Sequence, residues 1–417
     1  MTSPTKGHTV PNATVRIRVR MTARPIDEPN RVSSQLELLF DLTFVIAIAA
    51  VTEQFAHTIA DGHGGDGLLP FLQVFFAIWW AWMNFTWFAS SYDTDDVTYR
   101  ILTMVQMAGV LLLAAGVPAA ADHGDYLMVT SGYLVMRLGL ISLWLRAGIE
   151  DPESRSTPFR YAFGIGVLQL GWFGRLYLAD NGASDTVLLT AFVVLAILEL
   201  SVPLWAERPR ATHWHPHHIA ERYGLFTIIL LGEAVLASSN AVRRAVEETE
   251  VSAELIAVAA CGLVILFALW WLYFLRPAGP RLEERRDRSY RWGYGHYGIF
   301  ASLAALGAGL EVVVEQTSHD LQISPTAASY SVAVPTACFV ALLWAVHRII
   351  SEPSRIHLGT SFAGVVILLL LPLATPQLGS VADLVLIAAT CVALVAVASW
   401  DESVKQSGPK ASSASTE

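Results

Sequence analysis

The chain has 417 residues, of which 54% are hydrophobic and 15% charged, and its mean hydropathy is +0.48. This composition excludes a large soluble protein, because too few charged residues remain to cover its surface. The net charge of −9 gives no indication of nucleic-acid binding.

The apolar residues form continuous runs of about 20, the length that crosses a hydrocarbon layer of ~30 Å. Continuous runs indicate helices, since barrel strands alternate apolar and polar residues. The predicted fold class is therefore an all-α polytopic membrane protein with about 12 transmembrane helices. The spans are predicted near 36–57, 68–90, 99–120, 124–146, 158–180, 185–205, 222–242, 253–275, 291–313, 326–349, 356–375 and 379–400.

The positive charges predict the orientation of the chain in the membrane. Most of the 27 Lys and Arg residues lie in the two tails and in the loops that follow even-numbered spans. Loops with such an excess are cytoplasmic, so both termini are predicted to be cytoplasmic. Residues 1–30 lack the apolar core of a cleavable signal peptide, and we expect the first span to act as an uncleaved insertion signal.

The sequence repeats itself at a nearly constant offset. Three segments of the first half, Trp79-Trp80, Asp96 and Tyr99-Arg100, recur as Trp270-Trp271, Asp287 and Tyr290-Arg291. We therefore predict two parallel six-helix repeats, and such an arrangement places a seam between the two halves of the chain. The predicted domains are a disordered cytoplasmic N-tail (1–30), the first repeat (31–206), a cytoplasmic His-rich linker (207–221), the second repeat (222–400) and a disordered cytoplasmic C-tail (401–417).

Several ionisable residues lie inside the predicted spans, where each costs ~2.5–3.5 kcal/mol at a helix centre. Candidates for a polar pathway are Glu37, Asp41, Glu53, Glu233, His296 and Glu311. In one interpretation they line a hydrated route that binds cations or relays protons. In the other they pair with bases such as Arg137, Arg175 or His296 and only hold helices together. Glu233 is the strongest single candidate, because no adjacent residue in the sequence neutralises it.

Two cytoplasmic loops contain clustered polar residues. The loop after the second span carries Asp93, Asp95 and Asp96. These carboxylates suit a hard cation, but the loop lacks the Gly and the distal Glu of a calcium-binding loop. The alternative is that Asp93 caps the next helix or pairs with Arg31 or Arg100.

The loop before the seventh span holds four histidines between positions 213 and 218, a composition that suggests a transition metal. Pro216 interrupts helical spacing, so a solvated loop is the favoured interpretation. His217 and His218 are predicted to pack at the mouth of the span, near Glu221 and Arg222. Neither a metal nor a cofactor is assigned, and without a catalytic motif an enzyme is not predicted.

Four motifs resemble those of the bacterial low temperature requirement A (LtrA) family. They are residues 31–45 (RVSSQLELLFDLTFV), 93–100 (DTDDVTYR), 221–233 (ERYGLFTIILLGE), and Tyr294-Gly295-His296 followed by Glu311. Thr43 and Ala234 depart from the usual residues. The resemblance implies a multi-pass protein of the bacterial inner membrane, in a family without an established biochemical activity. The motif residues predicted to act at the cytoplasmic side are Arg31, Asp93, Asp95, Asp96, Arg100, His217, Glu221 and Arg222.

The leading hypothesis is a secondary transporter or channel-like protein. It would move a proton, a small cation or a small solute through the seam between the repeats, with the lipid bilayer as its other partner. The alternative is a membrane sensor or scaffold for cold adaptation without transport activity, whose acidic and His-rich loops meet a partner. A membrane-embedded enzyme acting on lipid is the third hypothesis.

Overall fold

All regular structure in the described residues is helical. The structure is a computed structural model that describes residues 16–26, 28–29, 31–248, 252–318, 321–351 and 355–407. Its helices are α1 (Gln35–Ala60), α2 (Gly64–Tyr92), α3 (Val97–Ala115), α4 (Val117–His123), α5 (Leu127–Glu150), α6 (Ser156–Asp180), α7 (Asp185–Ala206), α8 (Pro216–Glu248), α9 (Ala253–Phe274), α10 (Gly279–Glu284), α11 (Ser289–Glu315), α12 (Pro325–Ile350), α13 (Arg355–Leu370), α14 (Thr375–Leu378) and α15 (Ser380–Ser407). Short 3₁₀ turns precede α11 and α14.

Eleven helical segments in the described part of the chain are long and apolar enough to cross a membrane. They confirm the all-α polytopic class. The predicted fifth span forms α6, a helix of 25 residues that is not among the eleven. Arg160, Gln169 and Arg175 lower the hydropathy of this helix relative to its neighbours.

Two helices occupy the centre of the bundle. In the segment that contains α11, 83% of the most apolar window is buried, and in α2 the share is 67%. The corresponding share is 22% in α7. Peripheral helices therefore offer apolar surface to lipid, whereas α2 and α11 pack inside the protein.

Corresponding helices pack in the same order in the two halves. In the first half α1 packs on α2 and α3, and α3 packs on α5; in the second half α8 packs on α9 and α11, and α11 packs on α12. The matched Trp pairs differ in environment, since Trp79 and Trp80 are buried while Trp270 and Trp271 are about half exposed. Equivalent neighbours are what a duplication produces, and the duplication stays a prediction.

The two predicted tails are partly structured. Residues 16–26 form an extended segment in which Met21 is fully buried and the backbone N–H of Val19 donates to Asp96. At the other end α15 continues to Ser407, and Arg276 pairs with Glu402. The prediction of disorder does not hold for these stretches, because their polar groups find partners on the bundle. Residues 1–15, 27, 30 and 408–417 lie outside the described residues.

Candidate functional site

The seam between the halves is the place where α1 packs against α8 and α11. The predicted pathway carboxylates form two separate groups along it. We call the group at the start of α1 and α8 the Arg222 cluster; it consists of Arg31, Glu37, Asp41, His218 and Arg222. We call the group near the opposite end the Glu233 cluster; it consists of Glu53, Glu233, Arg244 and Glu311.

Arg222 joins the two halves through buried ion pairs. Its Nε and Nη2 atoms donate to the two carboxylate oxygens of Asp41 at 2.9 and 2.5 Å, and Nη1 donates to Glu37 Oε1 at 2.9 Å. Trp82 Nε1 donates a further hydrogen bond to Asp41 Oδ1 at 2.7 Å. All three charged side chains are at most 1% exposed. Such a forked arrangement fixes the geometry as well as neutralising the charges.

Local sequence explains how this cluster forms. Glu37 and Asp41 are one helical turn apart on α1, and His218 and Arg222 have the same spacing on α8, so each pair shares one face of its helix. Glu37 also completes a capping box, in which its Oε2 accepts from the backbone N–H of Ser34 at 2.7 Å. His218 Nε2 lies 3.0 Å from Glu37 Oε1. His218 was predicted to pack at the mouth of the span, but its contact with Glu37 was not predicted.

The acidic loop between α2 and α3 is closed by arginines. Arg31 Nη2 lies 3.6 Å from Asp93 Oδ2 and 3.7 Å from Glu37 Oε1, which connects the loop to the Arg222 cluster. Arg100 pairs with both oxygens of Asp95 at 2.8 Å.

Asp96 caps α3 by accepting from the backbone N–H of Tyr99 at 2.9 Å, and it also pairs with Arg146. Of the two structural roles predicted for Asp93, the structure shows the pairing with Arg31, while the cap of α3 is Asp96. In the described residues no group of three or more His, Cys, Asp or Glu side chains is placed to hold a metal ion.

The two buried carboxyls of this loop have opposite pKa shifts. Burial, reinforced by the nearby charge of Glu37, raises the pKa of Asp93 to about 6, although Arg31 and Arg24 act against this. Burial also acts to raise the pKa of Asp96, but hydrogen bonds from Arg146, Val19 and Tyr99 outweigh it and lower the value to about 2. Asp93 is therefore the loop carboxyl that titrates close to neutral pH.

The His-rich loop is divided among separate contacts. The backbone N–H of His215 donates to Ser90 Oγ, whereas His217 Nε2 lies 3.3 Å from Glu283 Oε2 near the surface. Helix α8 begins at Pro216, so the predicted linker 207–221 is shorter and Glu221 and Arg222 already belong to the helix. Glu221 accepts a hydrogen bond from the backbone N–H of Ser33 at 3.3 Å.

His296 lies outside both clusters. It lines a cavity of about 220 Å³ together with His217 and Glu221. Its Nδ1 is 2.8 Å from the carbonyl oxygen of Trp292, and its Nε2 is 3.2 Å from the hydroxyl of Tyr273. Since the carbonyl can only accept, Nδ1 carries the proton and Nε2 accepts from Tyr273.

The Glu233 cluster brings together carboxylates from three helices. Glu53 lies on α1, Glu233 on α8 and Glu311 on α11. Arg244 Nη2 donates to Glu311 Oε1 at 2.5 Å. Glu233 is 6% exposed, and its Oε2 has no hydrogen-bond partner among the described residues. The charges of Glu53 and Glu311 both act on it.

The three helices approach closely near Gly307 of α11, where an added Cβ atom would lie 3.3 Å from Ala234 and from Thr52.

An apolar layer separates the two clusters. Phe226 stacks on Trp82 with 4.2 Å between ring centroids and lies 5.0 Å from Phe300. Phe44 and Leu230 are fully buried in the same layer. Asp41 and Glu53 are about 18 Å apart along α1, at 1.5 Å per residue. In this conformation the seam is therefore closed between its two polar ends.

The bases proposed as partners for the pathway carboxylates pair elsewhere. Arg137 Nη2 contacts the Tyr133 hydroxyl and lies 3.6 Å from Glu199 Oε2, while Arg175 Nε donates to the carbonyl oxygen of Leu188. Glu199 also accepts from Trp80 Nε1 at 2.9 Å. In the seam, Glu37 and Asp41 pair with Arg222 and Glu311 pairs with Arg244, two bases that the sequence had not identified as partners.

Comparison with known proteins places this architecture in a family. The family model described as bacterial low temperature requirement A protein (LtrA) matches residues 32–399, a range that contains both clusters except Arg31. A relative from Rhizobium meliloti (strain 1021), described as an uncharacterized protein, is 27% identical over 292 residues, or 66% of this chain and 67% of the relative. No solved structure matches. The chain therefore belongs to the LtrA family of bacterial membrane proteins.

Proposed function

We propose that this LtrA-family protein is a secondary transporter of the bacterial inner membrane that moves protons through the seam, with both termini in the cytoplasm. The observation that carries the proposal is the Glu233 cluster, in which Arg244 pairs with Glu311 while Glu233, buried near the charges of Glu53 and Glu311, has no paired cation among the described residues. A carboxylate without a counter-ion at the edge of an apolar layer exchanges one proton readily. A hard divalent cation would require six or more oxygen ligands.

In this proposal the Arg222 cluster closes the cytoplasmic end of the seam. Glu233 exchanges its proton on the other side of the apolar layer, about four helical turns before the end of α8 at Glu248. Access from the cytoplasm requires the halves to separate near Arg222 and the aromatic layer to open. Six-helix halves that rock against each other around a fixed site are the usual arrangement in transporters with parallel repeats.

The contacts of the acidic loop favour transport over the alternative of a sensor or scaffold. That alternative requires Asp93, Asp95 and Asp96 to meet an external partner. Asp93 and Asp96 are instead engaged by Arg31 and Arg146 inside the protein.

The test is proton flux in proteoliposomes. A potassium diffusion potential drives protons, and a pH-sensitive dye inside the vesicles reports the rate. We expect Glu233→Gln to abolish the protein-dependent flux, because an amide cannot carry the proton. The matched control is Glu247→Gln on the same helix, since Glu247 is exposed and pairs only locally with Arg243. Wild-type flux equal to that of empty vesicles, or equal rates in wild type and Glu233→Gln, would exclude the proposal.

A further inference from the structure

A large apolar groove lies between the two halves, and no residue of either polar cluster lines it. It has a volume of about 630 Å³. The first half contributes the end of α1 and the start of α2, and the second half contributes α11 and α12. Central lining residues include Leu68, Tyr297, Ala301, Ala305, Val334 and Leu342.

The groove runs along one face of α12. Its lining residues on this helix, which include Ala327, Ser331, Val334, Cys338 and Leu342, recur at helical spacing. From Ala327 to Leu342 the groove extends about 22 Å along the helix axis, at 1.5 Å per residue. One leaflet accounts for roughly half of the ~30 Å hydrocarbon core, so the groove is long enough to hold a whole acyl chain.

The groove walls present little polar chemistry to a ligand. Ser302 Oγ donates to its own helix at Gly298 O (2.7 Å), and Ser331 Oγ donates to Ala328 O (2.6 Å). The Tyr297 hydroxyl donates to Leu72 O at 2.9 Å. A ligand in this groove therefore meets hydrocarbon, with these hydroxyls already bonded to backbone.

The rim of the groove is open to the surrounding medium. Leu68 on α2 is 46% exposed and Val334 on α12 is 40% exposed. Both helices are among the candidate membrane spans. The medium at the rim is consequently lipid hydrocarbon, which enters an apolar groove without the desolvation cost that a polar solute would meet.

We propose that this groove binds one acyl chain of a bilayer phospholipid between the two halves of the protein. The site does not depend on the cargo of the seam. A bound chain contacts α2 on one side and α12 on the other, so it fills space that the two halves would otherwise have to close by moving together.

The probe is a phosphatidylglycerol that carries a diazirine at the end of one acyl chain, reconstituted with the full-length protein in vesicles. After illumination, mass spectrometry maps the labelled peptides. We expect labels to concentrate on the groove faces of α2, α11 and α12. Labels spread evenly over the lipid-facing surfaces of α7 and α9 would overturn the proposal. This measurement is made on the wild-type protein alone.

A matched pair of variants gives the second measurement. Val334→Trp fills the groove from its rim and should remove the groove labels. Val385→Trp makes the same substitution on α15, where the side chain is 46% exposed and lies outside the groove. It should leave the labels unchanged. Groove labels that persist in a folded Val334→Trp protein would also overturn the proposal.

Discussion

Replacement of Arg222 by Met tests whether the Arg222 cluster holds the two halves together. The substitution keeps most of the apolar stem but removes three hydrogen bonds to Glu37 and Asp41. The two carboxylates then stay buried with weaker partners: Glu37 keeps His218 and the more distant Arg31 at 3.7 Å, and Asp41 keeps Trp82. Removing one partner of a buried ion pair costs about 3–5 kcal/mol, and two stranded carboxylates place Arg222→Met at the upper end of this range.

The cost arises from stranded charge, and a compensated variant separates this cause from lost packing. In Arg222→Met combined with Glu37→Gln and Asp41→Asn, no buried charge is left without a partner. Replacing every member of a buried network by neutral groups of similar shape is nearly neutral. The triple variant should therefore recover most of the stability that the single variant loses.

The free energy of unfolding is measured by denaturation in mixed micelles, followed by tryptophan fluorescence. Arg243→Met is the control, because Arg243 lies on the same helix but is 61% exposed beside Glu247. An exposed pair of this kind contributes about 0–1 kcal/mol. A loss below about 1 kcal/mol in Arg222→Met, or a triple variant as unstable as the single one, would refute the reasoning.

Two further changes test the loop and the helix packing. The folded pKa of Asp93 is about 6, above that of an unfolded aspartate, so its contribution to stability is complete below about pH 4 and is lost as pH rises through about 6. Asp93→Asn should remove this pH dependence of the free energy of unfolding, which is worth on the order of 2–3 kcal/mol. Unfolding titrations at several pH values measure it, and equal pH profiles in the wild type and the variant would contradict the prediction. Gly309→Ala would drive a Cβ atom into the carbonyl of Ser331 and cost about 1–3 kcal/mol, whereas Gly174→Ala meets open space and should stabilise its helix by about 0.5–1 kcal/mol. The same unfolding assay distinguishes them, and equal effects would show that close packing at Gly309 is unimportant.

The spans were predictable from sequence because they depend on a local property, the length of an apolar run. The predicted first span, 36–57, corresponds closely to α1, Gln35–Ala60. The start of α8 was placed too late, since the polar stretch around His218 and Arg222 lowers hydropathy. These residues are nevertheless buried, because their charges are paired inside the protein.

The pairing of charges could not be read from the sequence. Arg222 and Asp41 are 181 positions apart, and no local pattern states which base meets which acid. Shared faces follow from helical spacing: Glu37 and Asp41 are four residues apart on one side of α1, and both contact Arg222. Arg244 was missed because its partner, Glu311, is 67 positions away in the sequence.

The predicted repeat bears on the number of proton routes that one chain could contain under the proposed function. The register that aligns Glu37 with Glu221 also aligns Glu53 with Ala237 and Glu233 with Ala49. Neither carboxylate therefore has an acidic counterpart in the other half. Duplication would supply two similar helix bundles. The carboxylates that outnumber their bases, however, lie only in the Glu233 cluster at one end of the seam, whereas the charges of the Arg222 cluster at the other end are closely matched. If the seam moves protons as proposed, this asymmetry predicts a single proton route in each chain, which the Arg222 cluster closes and the Glu233 cluster supplies with a proton-binding group.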